Sequence, residues 1–298
     1  MRKIYIVQSS RLSLIKYLVN HYRTSKKYIS SVIEVLNIKN LNKYLQDIES
    51  GKVEYVVFSN GTDNIDRAIQ TKIKEANPEQ KFIFSENAWL TWEKYLYLDP
   101  MGIGNLSEIF LLNQKEIMDY TVDNKKIAEC TKIASTELSQ GTNSNYKNYI
   151  FVPLQVDGDS KILVGSPHFK KVKDFVSYMI DTTPNDINLV FRNHPLNKNK
   201  CPIPKKTNVY DATEKTLSKK SLIEKSLFVA GINTTFLIES MFLNHRTVTY
   251  GLDVFSNKDI IIEGYNKSVN DIMNYIINTE TKNKFLEVLM SRQVRKRY

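Results

Sequence analysis

Short apolar runs that end in small polar residues recur along this chain, with helical spacing between them. KIYIVQSS opens the sequence, and EYVVFSNGTD (54–63) and KFIFSEN (81–87) follow it. The second half repeats the pattern with NYIFVPLQV (148–156), INLVFRN (187–193), SLFVAG (226–231), RTVTYG (246–251) and IIIEG (260–264). Helical spacing is expected at Leu12 to Val19, Leu41 to Ile48, Asp63 to Ala76 and 107–138. It returns at His168 to Asp181, Leu217 to Lys225, Thr234 to Leu243, 267–278 and 280–291. Strand–helix alternation of this kind specifies a parallel sheet wrapped by helices, so the class is α/β. The 298 residues suffice for two medium domains. The polar stretch SQGTNSNYKN (139–148) is expected as the linker, dividing the chain into domains 1–140 and 141–298. The expected architecture is two Rossmann-like domains facing a central cleft.

Composition excludes several classes. No run of about 18 apolar residues exists to cross a membrane, and the N-terminus lacks the pattern of a signal peptide. Cys130 and Cys201 are too few for a disulfide framework or a four-cysteine zinc site. A cytoplasmic protein is expected. The net charge of +10 fits nucleic acids, nucleotides, anionic sugars or membrane surfaces, and equally the coding bias of an AT-rich genome. No RNA- or DNA-binding motif accompanies it, so no nucleic-acid partner is expected. GxGxxG, the P-loop, GxSxG and HExxH are all absent, and no repeat of short period is visible.

In open α/β sheets, ligands bind beyond the carboxyl ends of the strands. That rule selects Gln8 to Ser10, Ser59 to Gly61, Glu86 to Asn87, Gln155 to Asp159, Arg192 to Pro195 and Gly231 to Thr235. In QVDGDS (155–160), two carboxylates flank a glycine. They read as a base or nucleophile toward a sugar, or as an Asp-rich turn. In RNHP (192–195), His194 and Arg192 suit a leaving phosphate, while Pro195 ending a strand is the plain alternative. In GINTTFLIES (231–240), Asn233, Thr234 and Thr235 open a helix and Glu239 follows within a turn. This is either a phosphate site with a ribose contact or an ordinary N-cap. Trp89 and Trp92, beside Glu86, serve as core or as a sugar platform. DPMG reads as a turn.

These pieces resemble the bacterial β-Kdo transferases of capsule and lipopolysaccharide assembly, within the capsule polysaccharide biosynthesis group. The matching segments are ENAWL with LDPMGIG, FVPLQVDGDS, RNHP, and GINTTFLIES with TVTYG. They occur in the family's order across about 165 of the 298 residues. The resemblance implies a GT-B fold, a CMP-Kdo donor held by the C-terminal domain, and retention by double displacement. It implies Asp159 as nucleophile, with Asp157 as its rival, and Glu86 as acid/base. It places His194 at the donor phosphate or sugar, Asn233, Thr234 and Thr235 at the phosphate, and Glu239 at the ribose. Gln155 and Arg192 join the donor side; Ser10, Asn87 and Trp89 are assigned to the acceptor side. The chain departs from the family pattern at Ala88 (commonly Gly), Arg192 (Lys) and Thr234 (Ser). It carries one such module, which favours a single sugar addition.

No metal and no cofactor is expected, because only one phosphate departs and charged side chains can stabilise it. The implied partners are the nucleotide-sugar donor and a glycan or glycolipid acceptor. SRQVRKRY (291–298) is read as a helix end with four basic residues. It is either solvated or docked peripherally to the anionic inner-membrane leaflet. An inverting CMP-sialic acid transferase, with Asp157 or Asp159 as base and His194 as acid, is the alternative enzyme. A non-catalytic component of a glycan assembly complex is the alternative from another class.

Overall fold

The computed structural model describes residues 2–8, 12–25, 28, 31–195, 197–214 and 216–296. The chain forms two compact units. The first comprises Met1–Ala88, Trp92–Leu111 and Arg292–Tyr298; the second comprises Trp89–Thr91 and Leu112–Ser291.

In the first unit, strands β1 (Lys3–Val7), β2 (Val32–Leu36), β3 (Val53–Phe58) and β4 (Phe82–Asn87) pair in parallel in the order β2-β1-β3-β4. Helices α1 (Leu12–Thr24), α2 (Leu41–Glu49) and α3 (Asn64–Ala76) are the connections. Ile4, Tyr5, Ile6 and Val7 are all buried, which is why β1 reads as an unbroken apolar run: both faces of a parallel sheet are covered. The order reverses between β1 and β3, and the connections after these strands lie at that switch point.

Two antiparallel strands then extend the sheet, neither expected from the sequence. Strand β5 (Tyr95–Asp99) lies on β4, and β12 (Gln293–Arg295) lies on β5. The loop after β5 is built around one carboxylate. Asp99 is wholly buried, and the N–H groups of Met101, Gly102 and Glu108 donate to it at 2.9, 3.2 and 3.0 Å. LDPMGIG is therefore a turn with an internal anchor, and α4 (Glu108–Leu111) starts from it.

The second unit begins with α5 (Gln114–Met118) and α6 (Asn124–Leu138). Its six strands are β6 (Tyr149–Pro153), β7 (Asn188–Arg192), β8 (Val209–Asp211), β9 (Phe228–Gly231), β10 (Thr247–Thr249) and β11 (Ile262–Glu263). All pair in parallel, in the order β11-β10-β9-β6-β7-β8. Counted within the unit this is 3-2-1-4-5-6, the doubly wound order, with its switch point between β6 and β9. The helices are α7 (Ser160–Gly165), α8 (Val172–Thr182), α9 (Lys219–Glu224), α10 (Phe236–Phe242), α11 (Val269–Asn274) and α12 (Thr279–Arg292). Ile150, Val152, Phe175, Leu189, Phe191, Phe228 and Val248 belong to one core cluster.

Three features differ from the sequence reading. The units divide at Leu111/Leu112 and not at 140/141, because α6 buries Cys130, Ala134 and Leu138 and its end accepts a bond from Ser218 Oγ to Leu138 O at 3.2 Å. The expected linker is ordered inside the second unit: Thr142 N–H donates to Thr216 O at 2.9 Å and Ser218 N–H to Thr142 O at 2.8 Å. The basic end is not a helix face. After Arg292 the chain turns into β12; Arg292 donates to Glu108 at 2.8 Å and Lys296 Nζ to Asn87 Oδ1 at 2.8 Å. Two of its four basic side chains are thus held inside the first unit rather than displayed for a membrane. Among the described residues no helix is long and apolar enough to span a bilayer.

Candidate active site

The densest set of expected residues surrounds the switch point of the second unit. Gln155, just after β6, and Asn233, just after β9, form a double bond across it. Gln155 Nε2 donates to Asn233 Oδ1 at 2.9 Å, and Asn233 N–H donates to Gln155 Oε1 at 3.2 Å. The two remaining amide hydrogens of Asn233 go to Lys161 O (2.8 Å) and Leu252 O (3.1 Å). Both side chains are buried. Asn233 was expected to hold a donor phosphate, yet its hydrogen-bond donors are all taken. Together with Gln155 it ties the β6, β9 and β10 connections and the start of α7 into one piece.

QVDGDS is a turn and more. Gly158 takes φ +79°, the left-handed region that favours glycine, and Asp159 N–H closes onto Val156 O at 3.1 Å. Asp157 is exposed and accepts from Val172 N–H at 2.7 Å, where α8 begins. Asp159 is half-buried and caps α7, accepting from Lys161 N–H at 2.9 Å. The two carboxylates therefore face different neighbours, and Asp159 is the one whose charge acts on His194.

His194 stands beyond β7 on a loop shaped by Asn193. The Asn193 side chain brackets Cys201, accepting from its N–H at 2.8 Å and donating to its O at 3.0 Å. Burial lowers the His194 pKa, and the nearby Lys219 charge pushes the same way against Asp159. The net effect favours the neutral imidazole. Arg192, the last residue of β7, donates to Leu217 O at 3.2 Å. Burial lowers its pKa, and the charge of Glu239 opposes this.

Thr234 is buried, and its Oγ accepts from Phe236 N–H at 3.3 Å. Thr235 opens α10 but makes no side-chain capping bond to it. Glu239 is buried one turn later and accepts from Lys219 Nζ at 2.6 Å.

The sequence reading missed two lysines here. Lys219 begins α9 behind its N-cap Ser218, with its ammonium 5.0 Å from the Phe236 ring centre. Lys161 pairs with the buried Asp253 at 2.9 Å. Their one sequence signal is position: each stands at the start of a helix in this half of the chain.

The first unit holds a separate cluster. Glu86, in β4, is buried; Asn60 Nδ2 donates to Oε2 at 2.7 Å and Asn87 N–H to Oε1 at 2.8 Å. Lys296 Nζ also donates to Trp92 O, at 2.7 Å, and burial lowers its pKa. Trp89 is 1% exposed and falls in the second unit, so its ring is core and not a sugar platform. Ser10 lies outside the described residues.

Comparison with known proteins fits this geometry. The chain is similar to the KpsC β-Kdo 2,7 transferase of Thermosulfurimonas dismutans, with a TM-score of 0.61 at 14% identity over 99% of this chain and 96% of that one. It is similar to the KpsC β-Kdo 2,4 transferase of the same organism, with a TM-score of 0.62 at 12% identity over 96% and 89%. The shared property is the fold, two Rossmann-like units of the GT-B class. Protein FixF of Sinorhizobium fredii is 23% identical over 251 residues, which are 80% of this chain and span 58% of that relative's length. The family described as capsule polysaccharide biosynthesis protein matches residues 111–265, which carry every second-unit residue named above from Asp157 to Glu239. With more than half of its length matched, the chain belongs to the capsule polysaccharide biosynthesis protein family.

Proposed function

We propose that this protein is a glycosyltransferase that moves Kdo from CMP-β-Kdo to a bacterial surface-glycan acceptor, with retention of configuration. The observation that carries the reading is the cluster at the second unit's switch point. Asp159, His194, Lys219 and Glu239 come from separate connections around one parallel sheet and act on one another's charges. The solved structures described as β-Kdo transferases support the sugar; the family membership supports the pathway.

In this reading, Asp159 attacks the anomeric carbon of Kdo as the bond to the CMP phosphate oxygen breaks. The ester that forms carries the sugar on the enzyme. His194 donates a ring N–H to the departing phosphate, and Thr235 binds the same group with its hydroxyl. An acceptor hydroxyl then attacks the same carbon, its proton passing to a base, and Asp159 is released. Two displacements restore the starting configuration.

The test is a donor screen of the purified protein, read as nucleotide release with CMP-Kdo, CMP-sialic acid and UDP-sugars. Release from CMP-Kdo, and a β-configured product by NMR, are expected. Turnover of a UDP-sugar alone overturns the donor. An inverted product from CMP-sialic acid establishes the inverting alternative. CMP should also raise the melting temperature more than UMP or UDP does.

A further inference from the structure

Glu239 has an unequal pair of oxygens. Oε1 accepts from Lys219 Nζ at 2.6 Å, while Oε2 is buried and has no hydrogen-bond partner. The carboxylate is 8% exposed and Lys219 is 34% exposed. A buried carboxylate oxygen without a donor is costly, so such an atom marks a place where a ligand supplies one. One cation, Lys219 from α9, pairs with this carboxylate, and the carboxylate's charge also reaches Arg192 at the end of β7. Arg192 spends a guanidinium N–H on Leu217 O. The ligand group that meets Oε2 is therefore a neutral donor; a phosphate would meet like charge.

Lys219 is itself held from a second side. Its ammonium lies 5.0 Å from the centre of the Phe236 ring, one turn before Glu239 on the same helix. Phe236 thus fixes the lysine and the lysine fixes Oε1. The remaining freedom of the carboxylate, rotation about its last bond, is removed, which leaves Oε2 in one place.

We propose that Lys219 is the positioning residue of the nucleotide site: by pinning Oε1 of Glu239 it presents Oε2 to a ribose hydroxyl of the bound nucleotide. This rests on the CMP-donor reading above. Removing Lys219 lets the carboxylate turn, so its signature is a lost preference for the ribose hydroxyl, separate from any weakening that the lost charge imposes on both nucleotides alike.

The experiment compares CMP with 2′,3′-dideoxy-CMP by titration calorimetry on the wild type, Lys219→Met and Lys219→Arg. The wild type should bind CMP at least about tenfold more tightly than the dideoxy nucleotide, the ratio set by a hydrogen bond to a charged acceptor. In Lys219→Met the ratio should fall to within about twofold of unity, while the lost charge weakens both nucleotides together. An unchanged far-ultraviolet circular dichroism spectrum and a cooperative melt show that the variant is folded. Lys219→Arg should keep most of the discrimination, because a guanidinium can also pair with Oε1. A Lys219→Met protein that discriminates like the wild type overturns the inference. So does a wild type that binds both nucleotides equally, since Oε2 then meets no ribose hydroxyl. A loss of CMP-over-UMP preference in its place would assign Oε2 to the base and also overturn it. A wild type that binds neither nucleotide overturns the donor reading itself, and this inference with it.

Discussion

Between Asp157 and Asp159 a single glycine in the left-handed region turns the backbone, so neighbouring carboxylates acquire different surroundings. Asp157 binds the start of α8 and Asp159 the start of α7. This difference makes the nucleophile testable. Asn is as good an N-cap as Asp, so Asp159→Asn should keep stability within about 0.5 kcal/mol. It should lose transfer by more than about a thousandfold, the scale of a deleted nucleophile. Asp157→Ala should do the reverse: about 1 kcal/mol of stability lost with its helix contact, and activity kept. Urea denaturation and nucleotide release separate the two. Wild-type protein given donor without acceptor should gain the mass of one sugar residue on the Asp159 peptide. Thr235→Val removes a hydroxyl that caps nothing, so the fold should be unchanged. CMP affinity measured by calorimetry should fall by about 1.5–3 kcal/mol, the cost of a hydrogen bond to a charged group.

At the scale of elements, connections that look irregular are held by single buried groups. Lys258 is 2% exposed and donates to Leu112 O at 2.7 Å, just ahead of α5. Burial lowers its pKa to about 8, with Glu116 opposing, from an ordinary value of 10.5. Below pH 8 the lysine is protonated in both folded and unfolded chains, and the burial cost is present in full. Between pH 8 and 10.5 the unfolded chain binds more protons, so stability rises with pH and the cost is relieved. Relative to Lys258→Met, the wild type should gain on the order of 1 kcal/mol between pH 7.5 and 9.5 in urea unfolding. Gly61, in the connection after β3, has φ +84°, and a Cβ there would fall on the Phe84 ring. Gly61→Ala should cost roughly 1–3 kcal/mol by overpacking, checked by the thermal midpoint.

At the scale of the molecule, the chain leaves its first unit at Leu111 and comes back at Arg292. Strand β12 then covers the edge of β5 through Gln293, Val294 and Arg295, and Lys296 N–H adds a bond to Lys94 O at 2.8 Å. An uncovered edge strand is a liability that such a strand removes. Deleting residues 292–298 should therefore lower amide-exchange protection in β5 and β4 while leaving β6 to β11 protected. Equal loss of protection in both units would show that the returning strand stabilises the whole chain and not its own sheet.

Much of this was legible in the residues alone. Parallel strands buried on both faces must be apolar throughout, so Ile4 to Val7 and Ile150 to Val152 announce themselves, and the turn-prone polar residues after them mark the carboxyl ends. That is why the strand-end segments that hold Asp159, His194 and Thr235 could be located from the sequence, while the roles expected of them, and of Glu239, came from the family resemblance. The antiparallel strands could not be read this way. Tyr95 to Asp99 follows a strand with no helix between, and Gln293 to Arg295 is polar enough to pass for a helix end; its partner lies almost two hundred residues earlier. Lys219 and Lys161 were invisible for a related reason. A lysine has no role until packing brings an acid to it, and Glu239 and Asp253 stand 20 and 92 residues further along the chain. Local pattern follows from backbone geometry and burial, which act over a few residues. Which donor meets which acceptor depends on how distant connections are stacked, and that is settled only when the sheet is assembled.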